Sequence, residues 1–273
     1  MENFLTILKA VILGIIEGIT EFLPISSTGH LIIAEKFINL SQNPSFVASF
    51  QVIIQLGAIL SILVLFWKKL FPFGQGEEHC KKTLNLWLLV IVGVIPAAIL
   101  GFLFDDFIEE KLFSPLIVAD ALVFYGIILI LVENRKKPQI KIADVNLIPI
   151  KFAIAIGFFQ CLAMVPGTSR SAATIIGGLL LGLSRAAAAE FSFFLAIPTM
   201  FGASLLKIVK NGLSFTSFEI VLIAVGFVVS FVSAFAVVKF LMCYISKNDF
   251  TVFGYYRIIL GVVVMHILFF LIR

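Results

Sequence analysis

Charged residues are scarce in this sequence. Lysine, arginine, aspartate and glutamate together make up 13% of its 273 residues, against roughly 25% in an average soluble domain. Hydrophobic residues account for 61%, and the mean hydropathy is +1.14. So few charges cannot cover the surface of a soluble globule. The composition therefore predicts an integral, multi-pass membrane protein, with a single membrane domain over residues 1–273 that uses the lipid bilayer as its solvent.

Other absences exclude further classes. The three cysteines are scattered along the chain and indicate neither a disulfide framework nor a zinc site. No long basic tract with interleaved aromatic residues is present, so nucleic acid is not an expected partner. Glu2 stands where a cleavable signal peptide would have a basic residue, so we expect none. The apolar runs are about 20 residues long rather than about 10 with alternation, which predicts helices and not strands.

The apolar runs fall into two kinds. Six are long enough to cross a bilayer and predict transmembrane helices at 46–67, 84–104, 113–132, 187–209, 216–241 and 250–272. In the other kind, an apolar run with polar interruptions is followed after a proline by a piece too short to span: 4–23 with 29–39, broken by Pro24, and 148–165 with 171–183, broken by Pro166. Short helices joined by a polar turn predict re-entrant helical hairpins, whose turns must be covered by protein or by a water-filled cavity.

The two hairpins belong to an internal repeat. Gly14-Ile-Ile-Glu17 before Pro24 matches Gly157-Phe-Phe-Gln160 before Pro166, and Gly157 follows Gly14 by 143 residues. Each half contains a hairpin and three spans, and an odd number of spans makes the second half enter from the opposite face. We therefore predict an all-α polytopic membrane protein, with six transmembrane helices and two re-entrant hairpins in an inverted-topology repeat. The halves are 1–132 and 148–273, joined by the linker 133–147.

The positions of the basic residues predict the orientation. Thirteen lysines and arginines fall in the loops on one side, at 68–82, 133–151, 184–186 and 239–257. The other side has six, namely Lys9, Lys36, Lys111, Lys207, Lys210 and Arg273. The positive-inside rule places the thirteen in the cytoplasm. Both termini then face outward, and the tips of the two hairpins can meet near the middle of the membrane.

The first hairpin carries a polar island, EGITEFLPISSTGH at 17–30. Glu17 and Glu21 are one helical turn apart and share a helix face. Two ionised carboxylates in such a setting need a cation or a proton, and oxygen ligands favour Mg²⁺ or Ca²⁺. The alternative is a pair that is hydrogen-bonded within the fold.

Hydroxyl groups follow in the same island. Ser26, Ser27 and Thr28 occupy a turn that leads into a helix, where backbone N–H groups attract phosphate, although such hydroxyls could also be helix caps. His30 follows Ser27 by three residues and could reach its oxygen. A hydroxyl beside an imidazole is a minimal nucleophile and base pair. A histidine with a purely structural role is the alternative.

The second hairpin carries the island PGTSRSAAT at 166–174. Arg170 is its strongest signal, because a guanidinium group is costly in hydrocarbon and makes bidentate contacts with phosphate. A structural salt bridge to one of the two glutamates is the alternative. Ser169, Ser171 and Thr174 add hydroxyl groups around it. Facing each other, the two islands predict a metal-assisted anion site. Gln160 replaces the carboxylate that the repeat would give, so one site is expected rather than two.

These motifs resemble those of the bacterial undecaprenyl-diphosphate phosphatases associated with bacitracin resistance. The resemblance runs essentially end to end, through EGITEFLPISSTGH at 17–30, IQLGAIL at 54–60, PGTSRSAAT at 166–174 and EFSFFLAIP at 190–198. It implies hydrolysis of a polyprenyl diphosphate lipid, undecaprenyl diphosphate, to the monophosphate with release of inorganic phosphate. That reaction recycles the carrier lipid for cell-wall synthesis. The implied location is the bacterial cytoplasmic (inner) membrane, with the active site open to the outer face.

The resemblance also implies roles for the island residues. Glu17 and Glu21 would be the acidic pair of a divalent-cation-dependent site, and Ser27 and His30 the catalytic hydroxyl and imidazole. Ser169, Arg170 and Thr174 would bind phosphate. Attack by Ser27, attack by His30 and attack by an activated water all remain open. A transporter or flippase of a phosphate-bearing lipid is the alternative function, since inverted repeats are typical of carriers. A homodimer is among the oligomeric states that the sequence allows.

Overall fold

The computed structural model describes residues 2–74, 76–112, 114–135, 142–211 and 215–271. Residues 136–141 in the middle of the predicted linker lie outside the described residues, and so does Arg273 of the charge count. Of Lys36 and Lys210, also in that count, only the backbone is described.

Within these ranges the chain is helical. The helices are α1 Glu2–Thr20, α2 Ser27–Phe37, α3 Pro44–Leu65, α4 Trp67–Leu70, α5 Glu77–Leu112, α6 Pro115–Asn134, α7 Ile150–Cys161, α8 Arg170–Leu180, α9 Arg185–Asn211, α10 Ser217–Ile245 and α11 Thr251–Leu271. Short 3₁₀ turns lie at Val145–Leu147 and Leu162–Met164. The described part contains no β-sheet, only an isolated bridge between Ile142 and Leu183. The all-α prediction is confirmed for these residues.

Seven of the described helices are long and apolar enough to cross a membrane, namely α1, α3, α5, α6, α9, α10 and α11. Six of them match the predicted spans to within a few residues, except that α5 extends further at both ends. The seventh is α1, which the sequence assigned to a hairpin arm. The chain is therefore a multi-pass membrane protein with seven candidate spans instead of six. The helices α7 and α8 are too short to cross by length.

Local signals set several helix starts. The side chain of Asn43 accepts hydrogen bonds from the first backbone N–H groups of α3, and Pro44 occupies the first helical position. Ser114 and Pro115 repeat this arrangement at α6. Thr216 forms a capping box with Glu219 at α10. These starts fix where each apolar segment becomes helical.

The helices pack in matching pairs. Helix α1 of the first half packs against α10 of the second, and the corresponding helix α7 of the second half packs against α5 of the first. In the same way, α10 contacts α3, and α5 contacts α9. The members of each short pair, α1 with α2 and α7 with α8, are in contact too. Gly14 of α1 lies directly against the carbonyl oxygen of Gly226, and Gly157 of α7 lies against that of Gly93. Neither position leaves room for a side chain, so the backbones approach closely at corresponding places.

Candidate functional site

Two turns, each ending in a serine with a positive φ, form the framework of the site. The first turn, residues 21–26, joins α1 to α2, and the second turn, residues 165–169, leads into α8. Ser26 has φ 73° and Ser169 has φ 72°, a left-handed conformation that non-glycine residues rarely adopt. The Ser26 hydroxyl oxygen accepts from the Gly29 N–H at 3.3 Å, and that of Ser169 accepts from the Ala172 N–H at 3.2 Å. Such strain costs about 1–3 kcal/mol per residue and needs support from its surroundings.

The Glu21 carboxylate joins the two islands. Ser27 donates its hydroxyl proton to Oε2 of Glu21 at 2.6 Å. Arg170 Nη2 donates to Oε1 of the same carboxylate at 3.3 Å. Glu21 and Ser27 are buried, and the Arg170 side chain is 10% exposed. The structure thus brings three predicted residues from opposite halves of the chain into direct contact.

Arg170 has further contacts that fix its position. Its Nη1 donates to the Ser192 carbonyl oxygen at 2.7 Å, and its guanidinium carbon lies 5.9 Å from the ring centre of Phe22. Its Nε is buried and has no hydrogen-bond partner. The guanidinium group is held in place by two of its five N–H donors, and the others, Nε–H among them, are not used by these contacts.

A cavity of about 560 Å³ opens beside this contact, within the usual size range of a ligand pocket. Six predicted site residues line it: Glu21, Ser26, Ser27, Thr28, Ser169 and Arg170. Much of the remaining wall is apolar and comes from α5 and α9, including Val94, Ala97, Phe102, Ala203 and Leu206. One part of the cavity can therefore take an anion, and another can take a hydrocarbon chain.

Two predicted phosphate-binding residues do not line this cavity. The Ser171 hydroxyl donates to the Leu23 carbonyl oxygen at 2.9 Å and so ties α8 to the first turn. The Thr174 hydroxyl lies 2.9 Å from the carbonyl oxygen of Arg170 and 2.7 Å from the Ser192 hydroxyl. Both hydroxyl groups are used inside the protein, where they hold the second island in place.

His30 has partners other than the one expected. Its Nδ1 lies 2.7 Å from the Ser26 carbonyl oxygen and its Nε2 lies 2.7 Å from the Tyr256 hydroxyl. A carbonyl can only accept, so Nδ1 carries the proton and Nε2 accepts from the tyrosine. The two rings stack with centres 5.6 Å apart. The expected pair of Ser27 and His30 is not formed, because one helical turn returns the imidazole to the Ser26 carbonyl.

Glu17 is buried, with an exposed fraction of 1%, and neither of its carboxylate oxygens has a hydrogen-bond partner. It lies one helical turn before Glu21, whose N–H donates to the Glu17 carbonyl at 3.0 Å. Among the described residues, no group of three or more histidine, cysteine, aspartate or glutamate side chains could hold a metal ion. A cation at this pair would need further oxygens from hydroxyls, water or a substrate, which is usual for Mg²⁺. With such additional oxygen ligands, the two carboxylates fit a Mg²⁺ site.

The sequence reasoning missed Arg257 and Tyr256. Arg257 was counted among the cytoplasmic loop cations, and that assignment is wrong, because it lies inside α11 with an exposed fraction of 0%. Its Nη2 donates to the Gly167 carbonyl at 2.9 Å and its Nη1 to the Pro24 carbonyl at 3.2 Å. An arginine inside an apolar run was the available signal, and the same signal had identified Arg170.

Polar side chains outside the islands also reach the cavity. Gln55, Gln160 and Thr199 line it. Gln160 Nε2 donates to the Thr199 hydroxyl at 3.2 Å, and its Oε1 is buried without a partner. Asp120, which could have faced the cavity, is exposed on α6 and does not line it.

Comparison with known proteins gives one consistent result. A family model described as bacitracin resistance protein BacA matches residues 10–263. Undecaprenyl-diphosphatase 1 of Clostridioides difficile (strain 630) is 54% identical over 276 residues, covering 99% of this chain and 100% of that protein. Undecaprenyl-diphosphatase of Enterococcus faecalis is 50% identical over 271 residues, covering 96% and 97%. That of Acetivibrio thermocellus is 50% identical over 264 residues, with the same coverage of 96% and 97%.

Proposed function

The chain belongs to the family of bacitracin resistance protein BacA, and we propose that its cavity is where it hydrolyses undecaprenyl diphosphate to undecaprenyl phosphate and inorganic phosphate. Relatives about half identical over nearly the whole chain carry the name of that activity. The observation that supports this location is the contact of Glu21 with both Ser27 and Arg170 beside one cavity. Recycling of the carrier lipid for the cell wall, and with it bacitracin resistance, follows from this activity.

Electrostatic stabilisation comes first in the proposed mechanism. The terminal phosphate would lie between the Ser26–Thr28 segment and Ser169–Arg170, which line the cavity. Phosphoryl transfer needs fixed positive charge and hydrogen-bond donors at the transferring group. The guanidinium of Arg170 supplies the charge, and the start of α8 adds backbone donors.

Ser27 is the nucleophile that the geometry favours. Its hydroxyl already donates to Glu21, so the carboxylate can take the proton as the serine oxygen bonds to phosphorus. The bridging P–O bond breaks, and undecaprenyl phosphate leaves with the proton that Glu21 had taken from Ser27. Water then attacks the phosphorus of the serine phosphate, and the ionised Glu21 removes a proton from that water. The bond between phosphorus and the serine oxygen breaks, inorganic phosphate leaves, and Glu21 returns its proton to Ser27. His30 acts here through its bond to the Ser26 carbonyl, which holds the first turn.

A divalent cation, Mg²⁺ or Ca²⁺, fits at Glu17 and Glu21. The support is the Glu17 carboxylate, which is buried without a partner. When bound, such an ion neutralises negative charge on the diphosphate. The protein would contribute two carboxylates one helical turn apart, of which Glu21 lines the cavity and Glu17 is buried behind it.

The apolar wall of the cavity suits the polyprenyl tail. Gly101, Phe102 and Leu206 belong to this wall, and Phe102 is strongly exposed on α5. A tail that passes between α5 and α9 would continue into the bilayer. The polar head can therefore bind at the turns while the chain stays in hydrocarbon.

The membrane arrangement is also part of the proposal. The matching helix pairs and the nearly equal φ angles of Ser26 and Ser169 support an inverted repeat with re-entrant hairpins, within one domain. With α1 as a hairpin arm and six crossing helices, in the bacterial cytoplasmic (inner) membrane, the positive-inside rule would direct both termini and the site outward. A homodimer is compatible with this arrangement.

Phosphate release by the purified protein in detergent tests the function. Wild-type protein should release phosphate from undecaprenyl diphosphate, and Ser27→Ala and Arg170→Lys should each lower kcat by about 10²-fold or more. Ser49→Ala is the matched control, because this buried serine bonds only within α3. Folded wild-type protein that releases no phosphate would refute the hydrolase.

A lipid carrier is the second candidate, and the paired helix packing favours it. A carrier would move undecaprenyl phosphate across liposome membranes without any hydrolysis. If Arg170→Lys abolished transport while phosphate release were absent from the wild type, the carrier would replace the hydrolase.

A further inference from the structure

We propose that Arg257 is a positioning residue that sets the two turns against each other and so aligns Ser27 with Arg170. The inference rests on the proposed function and adds a residue to it. Arg257 does not line the cavity, and it acts through the backbone of residues that lead into it.

The guanidinium group binds a carbonyl oxygen of each turn, in both cases two residues before the serine that ends the turn. Pro24 precedes Ser26 by two residues, and Gly167 precedes Ser169 by two residues. Nη1 of Arg257 donates to the Pro24 carbonyl at 3.2 Å and Nη2 to the Gly167 carbonyl at 2.9 Å. One side chain from α11 thus joins corresponding points of the two halves.

The same group is anchored to a third element. Nε of Arg257 donates to the Leu122 carbonyl of α6 and Nη2 to that of Ala121, both at 3.4 Å. These longer bonds hold the plane of the guanidinium group against α6. They therefore also set the direction in which its N–H groups point toward the two turns.

The neighbouring residue supports the first turn as well. Tyr256 bonds to His30, and His30 bonds to the Ser26 carbonyl. Consecutive residues of α11 therefore hold the first turn at Pro24 and, through His30, at Ser26. Of these two residues of α11, only Arg257 bonds to the second turn, at Gly167.

The burial and the charge of Arg257 indicate that it does more than fill space in the protein interior. Arg257 is fully buried, and in the described ranges no carboxylate lies within ion-pair distance of it. A buried cation without a carboxylate is expensive, and an apolar side chain would fill the same space without that cost. Its planar set of donors can reach both turns and α6 at once, which a lysine ammonium cannot do.

The carbonyl groups that Arg257 binds lie close in the chain to the two residues proposed to act on the phosphate. Ser27 comes three residues after Pro24, and Arg170 comes three residues after Gly167. A shift of one turn relative to the other therefore moves the attacking oxygen relative to the phosphate-binding guanidinium. A displacement of about 1 Å can cost about 10²-fold in rate.

The first test is steady-state kinetics of purified Arg257→Lys on undecaprenyl diphosphate. We expect kcat to fall by about 10²-fold, KM to change by less than about threefold because the binding groups remain, and the elution profile and Tm to stay close to wild type. Tyr255→Phe, an exposed neighbour in α11, is the control and should match wild type. Unchanged kcat in a folded Arg257→Lys protein would overturn the proposal, and so would a loss explained wholly by a smaller active fraction.

The second test does not depend on activity. Spin labels at Phe37→Cys and Leu180→Cys, exposed ends of α2 and α8, report the distance between the two halves in protein whose native cysteines are replaced by serine. Arg257→Lys should broaden or shift that distance distribution, and Tyr255→Phe should not. Identical distributions in wild type and Arg257→Lys would refute the positioning role. If wild type releases no phosphate, the proposed function fails, and this measurement still decides the role of Arg257.

Discussion

The hydroxyl oxygen of Ser27 lies 2.6 Å from Oε2 of Glu21, a distance typical of a strong hydrogen bond to a carboxylate. The serine hydroxyl is the donor in this contact, so Glu21 is placed to take up its proton during the reaction. Glu21 also accepts from Arg170, so one carboxylate connects a nucleophile with a phosphate-binding cation. The chemistry of the site depends on this arrangement.

Glu21→Gln should remove most of the activity without removing the fold. Glutamine keeps the shape and can still bond to Ser27, but it cannot take up a proton. General-base catalysis contributes about 10²–10⁴-fold, so we expect kcat to fall by that factor in a phosphate-release assay. Glu219→Gln at the start of α10, away from the cavity, is the control and should behave as wild type. Retention of more than a tenth of wild-type kcat in Glu21→Gln would exclude the glutamate as the base.

His30→Asn separates a positioning histidine from a catalytic one. The Asn amide can replace Nδ1–H at the Ser26 carbonyl, and one hydrogen bond is worth about 0.5–1.5 kcal/mol net. We therefore expect a loss of kcat of less than about tenfold, and a similar small loss for Tyr256→Phe. A drop of His30→Asn to the level of Ser27→Ala would show that the imidazole takes part in the chemistry.

Glu17→Gln tests the carboxylate that has no protein partner. Removing one of two oxygen ligands should raise the Mg²⁺ concentration needed for half-maximal activity by at least about tenfold. Titration of chelator-treated protein with MgCl₂ measures this, and direct Mg²⁺ binding by calorimetry gives a readout without turnover. Because the substitution replaces a buried carboxyl group that has no hydrogen-bond partner, Tm should not fall. An unchanged Mg²⁺ titration would place the cation elsewhere.

Gln160→Glu tests the asymmetry between the halves. Gln160 lines the cavity at the place where the repeat would give a second Glu17. An added carboxylate would repel the diphosphate, and we expect KM to rise by about tenfold, the effect of about 1.4 kcal/mol. The neutral Gln160→Met keeps the volume and should raise KM less. Equal KM values for both variants would mean that charge at this position does not matter to the substrate.

Gly14→Val tests the close packing of α1 on α10. A side chain at Gly14 meets the Gly226 carbonyl oxygen at 2.7 Å, so the helices must separate. Overpacking typically costs about 1–3 kcal/mol, and we expect a clearly lower Tm for the purified protein. Gly202→Ala, where an added Cβ meets nothing within 4 Å, should leave Tm unchanged. If Gly14→Val matched that control, close packing would not be what stabilises this pair.

Much of the fold could be predicted because the membrane restricts the choices. Apolar runs of about 20 residues can only become helices in a bilayer, and six predicted spans agree with the structure. Helix α1 differs because its 19 residues remain long and apolar enough to span despite Glu17. Length cannot separate a crossing helix from the arm of a hairpin.

The sequence by itself determined the helical membrane class, the interrupted segments and the polar islands at 17–30 and 166–174. These properties depend on composition and local spacing, and the cost of charge in hydrocarbon makes them visible. Only the tertiary structure decided which groups meet. In it Ser27 bonds to Glu21, His30 to Tyr256 and Thr174 to Ser192. Arg257 bonds to both turns. Such contacts join residues more than a hundred positions apart or depend on a side-chain rotation, and no local spacing specifies either one.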